Sequence, residues 1–116
     1  MTVFRDRPVP HVDAVAAHAL LGEAVLLDVR EPDEWAAGHA PDAWFVPLGE
    51  LESARFQLPV NRRIVCVCRS GQRSALATDL LLQWAFDAVN LEGGMQAWAA
   101  AGLPVVRDDG SPGTVI

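Results

Sequence analysis

Arg63-Ile64-Val65-Cys66-Val67-Cys68-Arg69-Ser70-Gly71-Gln72-Arg73-Ser74 is the stretch that decides how this chain folds. Its first five residues form a short β-branched apolar run, the pattern of a buried strand. Beyond it, Leu76, Leu80 and Trp84 recur at four-residue spacing with Leu81 beside them, as on the apolar face of a helix. The segment from Cys68 to Ser74 must therefore turn the chain sharply between the two elements. Backbone N–H groups that converge in such a turn form an anion-binding nest over the cysteine sulfur, reinforced by the positive end of the helix and by Arg69 and Arg73. These surroundings favour thiolate over thiol. The stretch reads as a nucleophile, Cys68, with a seat for an anionic substrate built from Arg69, Ser70, Gly71, Gln72 and Arg73.

The flanking sequence alternates strand and helix patterns. Asp13 is placed to cap a helix running through Ala17 to Leu21. Ala24-Val25-Leu26-Leu27-Asp28-Val29 is a continuous apolar strand, and Glu31-Pro32-Asp33-Glu34-Trp35 suits a short helix with Pro in its first turn and acids at its N-terminus. Gly38 to Pro41 reads as a turn, Trp44-Phe45-Val46 as a short strand and Leu48 to Ala54 as a weak helical segment. After the cysteine loop and its helix, Ala88 to Leu91 is another strand. Gly93-Gly94 then leads into a helix from Met95 to Ala101 that stops at Gly102, with Pro104 beyond. Such alternation predicts an α/β fold: a central, mainly parallel sheet with helices on both faces and the reactive loop at a strand's carboxyl end. Residues 1–8 read as an N-terminal arm, 9–106 as the folded domain and 107–116 as a C-terminal tail.

Composition narrows the function classes. The chain has 116 residues, 51% hydrophobic and 21% charged, which suits one globular domain with a core of its own. Its formal net charge of −6 argues against a sequence-independent hold on nucleic acid or on an anionic membrane. No apolar run reaches the length of a membrane span and the N-terminus lacks a signal-peptide core, so the expected location is the cytoplasm. The two cysteines, Cys66 and Cys68, stand one residue apart, too close on a strand for an unstrained disulfide and too few for a structural zinc set. Three scattered histidines make no metal site, and no cofactor is implied.

Several blocks in order resemble the rhodanese family of sulfurtransferases in its single-domain form. They are Leu27-Asp28-Val29-Arg30-Glu31, Glu34-Trp35, Gly38-His39, Cys68-Arg69-Ser70-Gly71-Gln72-Arg73-Ser74, Gly93-Gly94-Met95, Ala97-Trp98 and Gly102-Leu103-Pro104. Each block alone is weak; the ordered set is specific. The resemblance implies that Cys68 forms a persulfide within a cradle of residues 69 to 73. Asp28, Arg30 and Ser74 would support the site. The implied donor is a small anionic sulfur compound such as thiosulfate or a persulfide, and the implied acceptor is a thiol, cyanide or a protein. Two positions depart from the family pattern. Asp42 and Ala85 stand where many members have glycine, and an alanine tolerates left-handed backbone poorly.

Alternatives remain at this point. A phosphatase or arsenate reductase of related fold also uses a loop cysteine and an arginine, but resembles Cys-x5-Arg, whereas Cys68 and Arg73 give Cys-x4-Arg, a tighter nest suited to one sulfur atom. A persulfide carrier or interaction module for a partner protein is the other. Cys66 reads as a small core residue whose side chain diverges from that of Cys68, and His39 as a hydrogen-bonding residue in a turn. Trp35, Trp44, Trp84 and Trp98 read as core or cover.

Overall fold

The computed structural model describes residues 9–116. The expected N-terminal arm lies outside the described residues. Five strands form one sheet in the order β1-β5-β4-β2-β3, and every adjacent pair is parallel. The three central strands are β2 (Val25–Asp28), β4 (Ile64–Val67) and β5 (Ala88–Leu91), and each is buried at all four positions. Continuous apolar strands of this kind require cover on both faces. The edges are β1 (His11–Val12) and β3 (Trp44–Phe45), both only two residues long.

Helices supply the cover in two groups. On one face α1 (Ala14–Leu20) and α5 (Gly94–Ala100) place Ala14, Ala17, Met95 and Trp98 against Leu26, Val65, Val67, Val89 and Leu91. On the other, α3 (Leu51–Ala54) and α4 (Gln72–Gln83) place Leu51, Ala77 and Leu81 against Leu27, Val29, Ile64, Cys66, Cys68 and Ala88. The Asp13 side chain caps α1 by accepting from the Ala16 N–H at 2.8 Å, as its position predicts. In α2 (Pro32–Ala37) the Glu34 side chain reaches back to the Glu31 N–H at 3.0 Å, closing a helix start that the acids and Pro32 had marked. The parallel sheet, the two-sided cover and the loop at the carboxyl end of β4 are as expected.

Three differences have physical reasons. β1 carries too few residues to show a period, and is held by pairing with β5. Helix α4 starts at Gln72, ahead of its apolar stripe, because Gly71 at φ 111° turns the chain into it. Residues 107–116 are not a free tail. Asp108-Asp109-Gly110 reverses the chain so that Val106 bridges both His39 and Pro112, Thr114 N–H donates to the Ala37 carbonyl at 2.9 Å, and Val115 packs on the α1/α5 core. Gly38 permits this closure: a Cβ there would lie 2.6 Å from the Thr114 backbone.

Both departures at glycine positions adopt positive φ, 63° at Asp42 and 70° at Ala85. Ala85 follows α4 directly. The Phe86 N–H returns to the Leu81 carbonyl at 2.9 Å and the Ala85 N–H to the Leu82 carbonyl at 3.0 Å, the paired bonds of a glycine-type helix stop. A methyl group therefore sits at an exposed position where left-handed backbone costs about 1 kcal/mol. Ala85→Gly is expected to raise the unfolding free energy by roughly that amount in a denaturant titration. An unchanged or lower value would show that the left-handed turn is not strained.

Candidate active site

The sulfur of Cys68 is placed by the end of β4 and the start of α4. Strand alternation carries through Cys68, so it shares one apolar cluster with Ile64 and Cys66 beneath α4. The expected divergence of the two cysteine side chains is thus corrected: both lie on the same face of the sheet. Their environments still differ. Burial pushes the Cys66 thiol up to about 12 and keeps it neutral, a rise that hydrogen bonding to Thr78 only partly opposes. Neither cysteine is in a disulfide.

At Cys68 the turn aims donors at the sulfur. Sγ accepts from the Gly71 N–H at 3.2 Å, the Ser74 N–H at 3.3 Å and the Ser74 hydroxyl at 3.3 Å. Ser74 lies in the first turn of α4, where backbone N–H groups have no helical partner. Burial is the largest single influence on Cys68 and opposes ionisation. The hydrogen bonds from the Ser74 hydroxyl and from the Ser74, Gly71 and Ser70 N–H groups together outweigh it, and hold the thiol below its ordinary value. The residue is only 1% exposed, so the anion is stabilised by fixed donors rather than by water.

The loop is gripped from two neighbouring elements that were not identified as loop contacts from the sequence. At the start of α5, Met95 N–H donates to the Cys68 carbonyl at 2.7 Å and Gln96 N–H to the Arg69 carbonyl at 3.0 Å. Gly94 makes this approach possible, since a Cβ there would stand 2.4 Å from the Cys68 carbonyl oxygen. From β5, Asn90 donates to the Gly71 carbonyl at 3.1 Å and accepts from the Ser74 hydroxyl at 2.6 Å. The Gly93-Gly94 pair was the available sequence signal; a lone polar residue in an apolar strand, Asn90, was the other.

The two loop arginines part company. Arg73, expected to face the donor, forms a two-point ion pair with Glu34 on α2 at 2.7 and 2.8 Å. That hydrogen bond is the main reason the Glu34 carboxyl falls to about 2 despite partial burial, and it raises Arg73 in turn. Arg73 therefore anchors the loop to α2 while its charge is still felt at Cys68. Arg69 is exposed, with Nε donating to the Ile116 carbonyl oxygen at 2.8 Å. Ser70 and Gln72 are exposed beside it.

Asp28 and Arg30 are fully buried and joined by Nε–Oδ1 and Nη2–Oδ2 contacts of 3.0 and 2.8 Å. Arg30 Nη2 also donates to the Gly38 carbonyl at 2.7 Å, so the pair ties the end of β2 to the turn after α2. His39 is buried, stacked on Trp35 with ring centroids 3.6 Å apart, and its Nε2 meets Asp108 Oδ1 at 2.9 Å. Of the tryptophans, Trp98 is wholly buried whereas Trp44 is 41% exposed.

This geometry can be compared with known proteins. The rhodanese-like domain family model matches residues 12–101. A curated protein from Allochromatium vinosum named sulfurtransferase is 40% identical over 89 residues, covering 76% of this chain and 83% of the relative. A rhodanese-related protein from Thermoplasma volcanium has a crystal structure that superposes with a TM-score of 0.80 at 32% identity, covering 84% of this chain and 97% of that one. The crystal structure of thiosulfate sulfurtransferase from Pseudomonas aeruginosa gives a TM-score of 0.79 at 26% identity, covering 95% of this chain and 22% of that one. The chain belongs to the rhodanese-like domain family, and its fold is the rhodanese fold.

The α5 grip on the loop is testable. Gly94→Ala adds a methyl group against the Cys68 and Arg69 carbonyls at a backbone φ of 61°. The loop must shift, the Gly71 and Ser74 donors lose their aim at Sγ, and less thiolate is held at neutral pH, about tenfold less for each pH unit by which the thiol rises. The expected result is a folded, less stable protein whose Cys68 alkylates about tenfold more slowly at neutral pH. A wild-type alkylation rate would mean the loop keeps its shape without this contact.

Proposed function

We propose that the protein is a sulfurtransferase that moves sulfane sulfur from a small anionic donor, thiosulfate or a persulfide, to a thiophilic acceptor through a Cys68 persulfide. The observation that carries this reading is the convergence of three donors on one buried sulfur. Family membership and the relationship to a curated sulfurtransferase support transferase chemistry in general. The likeness to a thiosulfate sulfurtransferase supports thiosulfate as a donor.

The proposed cycle needs no general base. Cys68 thiolate attacks the outer sulfur of thiosulfate, a new S–S bond forms, the donor S–S bond breaks and sulfite leaves with its electron pair. The terminal persulfide sulfur is then attacked by the acceptor, cyanide in the simplest assay. Thiocyanate departs and Cys68 thiolate is regenerated, a double displacement. Loop N–H groups stabilise the anion at each stage without reorganising. With Cys68 only 1% exposed, a slim donor with a protruding sulfur fits the approach better than a bulky one. An oxyanion enzyme of the phosphatase kind is disfavoured by the Cys-x4-Arg spacing of Cys68 and Arg73, a nest sized for one sulfur atom rather than for three phosphoryl oxygens.

Cys68→Ser is expected to abolish thiosulfate-to-cyanide sulfur transfer while leaving the fold intact by circular dichroism. Comparable thiocyanate production by the folded variant would overturn the assignment.

The arginines make separate predictions. Arg69→Ala removes an exposed cation beside the loop, so use of thiosulfate should fall more than use of a less charged persulfide donor, with a difference that shrinks as salt rises. Arg73→Ala breaks the anchor to Glu34 and removes a charge that Cys68 feels, so it should reduce use of both donors at every ionic strength, with less discrimination between them than Arg69→Ala shows. Initial rates with the two donors across a salt series check this, and the opposite assignment of the two patterns would contradict it.

A further inference from the structure

Ser74 has one hydroxyl proton and two acceptors within reach. Asn90 Oδ1 lies 2.6 Å from Oγ and Cys68 Sγ lies 3.3 Å from it. The Asn90 amide cannot turn freely, because its Nδ2 donates to the Gly71 carbonyl at 3.1 Å, which leaves Oδ1 facing Ser74. Ser74 is fixed too: it is fully buried, and its carbonyl accepts from the Thr78 hydroxyl at 2.8 Å. Contact at 2.6 Å is at the short end for an O–H···O hydrogen bond. A neutral Cys68 thiol is therefore best served by giving its own proton to Ser74 Oγ while the hydroxyl gives its proton to Asn90. An anionic sulfur has no proton to give and must draw the hydroxyl away from Asn90.

We propose that Asn90 is a positioning residue that competes with Cys68 for the single hydroxyl proton of Ser74, so that the hydroxyl faces Asn90 when Sγ is neutral and Cys68 when Sγ is anionic. The proton stays on Oγ throughout, and only the hydroxyl rotates about Cβ–Oγ. Its use in turnover rests on the sulfurtransferase reading. Sγ is anionic as it attacks the donor and becomes neutral once the persulfide forms, with one single bond to Cβ, one to the outer sulfur and the charge on the outer sulfur; the hydroxyl then returns to Asn90. When the acceptor takes the outer sulfur, Sγ leaves as thiolate and recovers the hydroxyl. Asn90 thereby restrains stabilisation of the resting thiolate, which keeps the sulfur nucleophilic, since nucleophilicity falls as thiol acidity rises.

Other groups around the sulfur are accounted for. Arg73 of α4 acts on Cys68 through its charge and is paired with Glu34 of α2, near Glu31. Cys66 of β4 lies beneath in the same cluster. Substitution at Asn90 changes none of these residues.

The test is the pH dependence of iodoacetamide alkylation at Cys68 in the wild type, Asn90→Leu, Ser74→Ala and the double variant. Loss of the Asn90–Gly71 bond is common to both backgrounds and cancels in the cycle. Asn90→Leu should leave the alkylation midpoint lower with Ser74 present than its effect in the Ser74→Ala background predicts, by about half a pH unit or more. Equal shifts in the two backgrounds would overturn the proposal. Asn90→Asp, close in shape, guards against misfolding by the leucine variant. It keeps a stronger acceptor facing Ser74 and should raise the midpoint more with Ser74 present than without it; an equal rise would mean that charge alone acts, and would overturn the proposal. Sulfur loading of the wild type from thiosulfate is read separately. Failure to load with the coupling intact would defeat the sulfurtransferase reading and leave the hydroxyl competition standing, whereas normal loading with equal shifts would do the reverse.

Discussion

Charge on a sulfur that water scarcely reaches is the constraint on which the rest of the structure depends. Desolvation alone would keep Cys68 a neutral thiol, as it keeps Cys66. The difference between the two is a set of donors, and supplying them requires Gly71 in a left-handed conformation, the unsatisfied N–H groups at the start of α4 and a hydroxyl at Ser74. Each of these is held by something else. The β5 side chain of Asn90 and the first N–H groups of α5 fix the loop, and the parallel sheet fixes β5 and β4 side by side, with Cys66 opposite Asn90.

Two arginine–carboxylate pairs stiffen the surroundings in different ways. Asp28–Arg30 is wholly buried and binds the carboxyl end of β2 to the Gly38 carbonyl, so its value lies in fixing the turn that also receives Thr114. Breaking one partner of such a pair leaves a buried charge uncompensated. Glu34–Arg73 is partly exposed and joins α2 to the first turn of α4. With the Glu34 carboxyl depressed from 4.5 to about 2, its contribution is fully present above about pH 4.5 and is withdrawn as pH falls toward 2. The Cys68 loop is thus anchored on one side by a charge pair and on the other by backbone hydrogen bonds from α5.

Much of this was legible in the sequence because the periods were clean. The apolar runs at 24–29, 63–67 and 88–91 marked the three central strands, and the stripe from Leu76 marked a helix but not its buried face, which is Ser74, Ala77, Thr78 and Leu81 while Leu76 is 40% exposed. The cysteine loop and its flanking blocks identified the family and marked Cys68 as the candidate nucleophile. Contacts made by single residues across the fold were not legible. The anchor that Arg73 makes to Glu34, far away in sequence, carries no local signal. Asn90 looks like one polar interruption in a strand, and only the register of β5 against β4 brings it to Ser74. The segment from 107 carries turn composition, which marks where the chain reverses but not that it returns to Gly38 and His39. Ala85 and Asp42 were visible as departures from glycine, and both do adopt positive φ.

The account turns on Cys68 accepting and releasing one sulfur atom. The direct measurement is the intact mass of the wild-type protein after incubation with thiosulfate, followed by cyanide, with Cys68→Ser treated in parallel. One added sulfur atom is expected on the wild type, localised to Cys68 and removed by cyanide with matching thiocyanate, and none on the variant. An added sulfur on Cys66, or no addition to a folded wild-type protein with Cys68 freely alkylated, would contradict it.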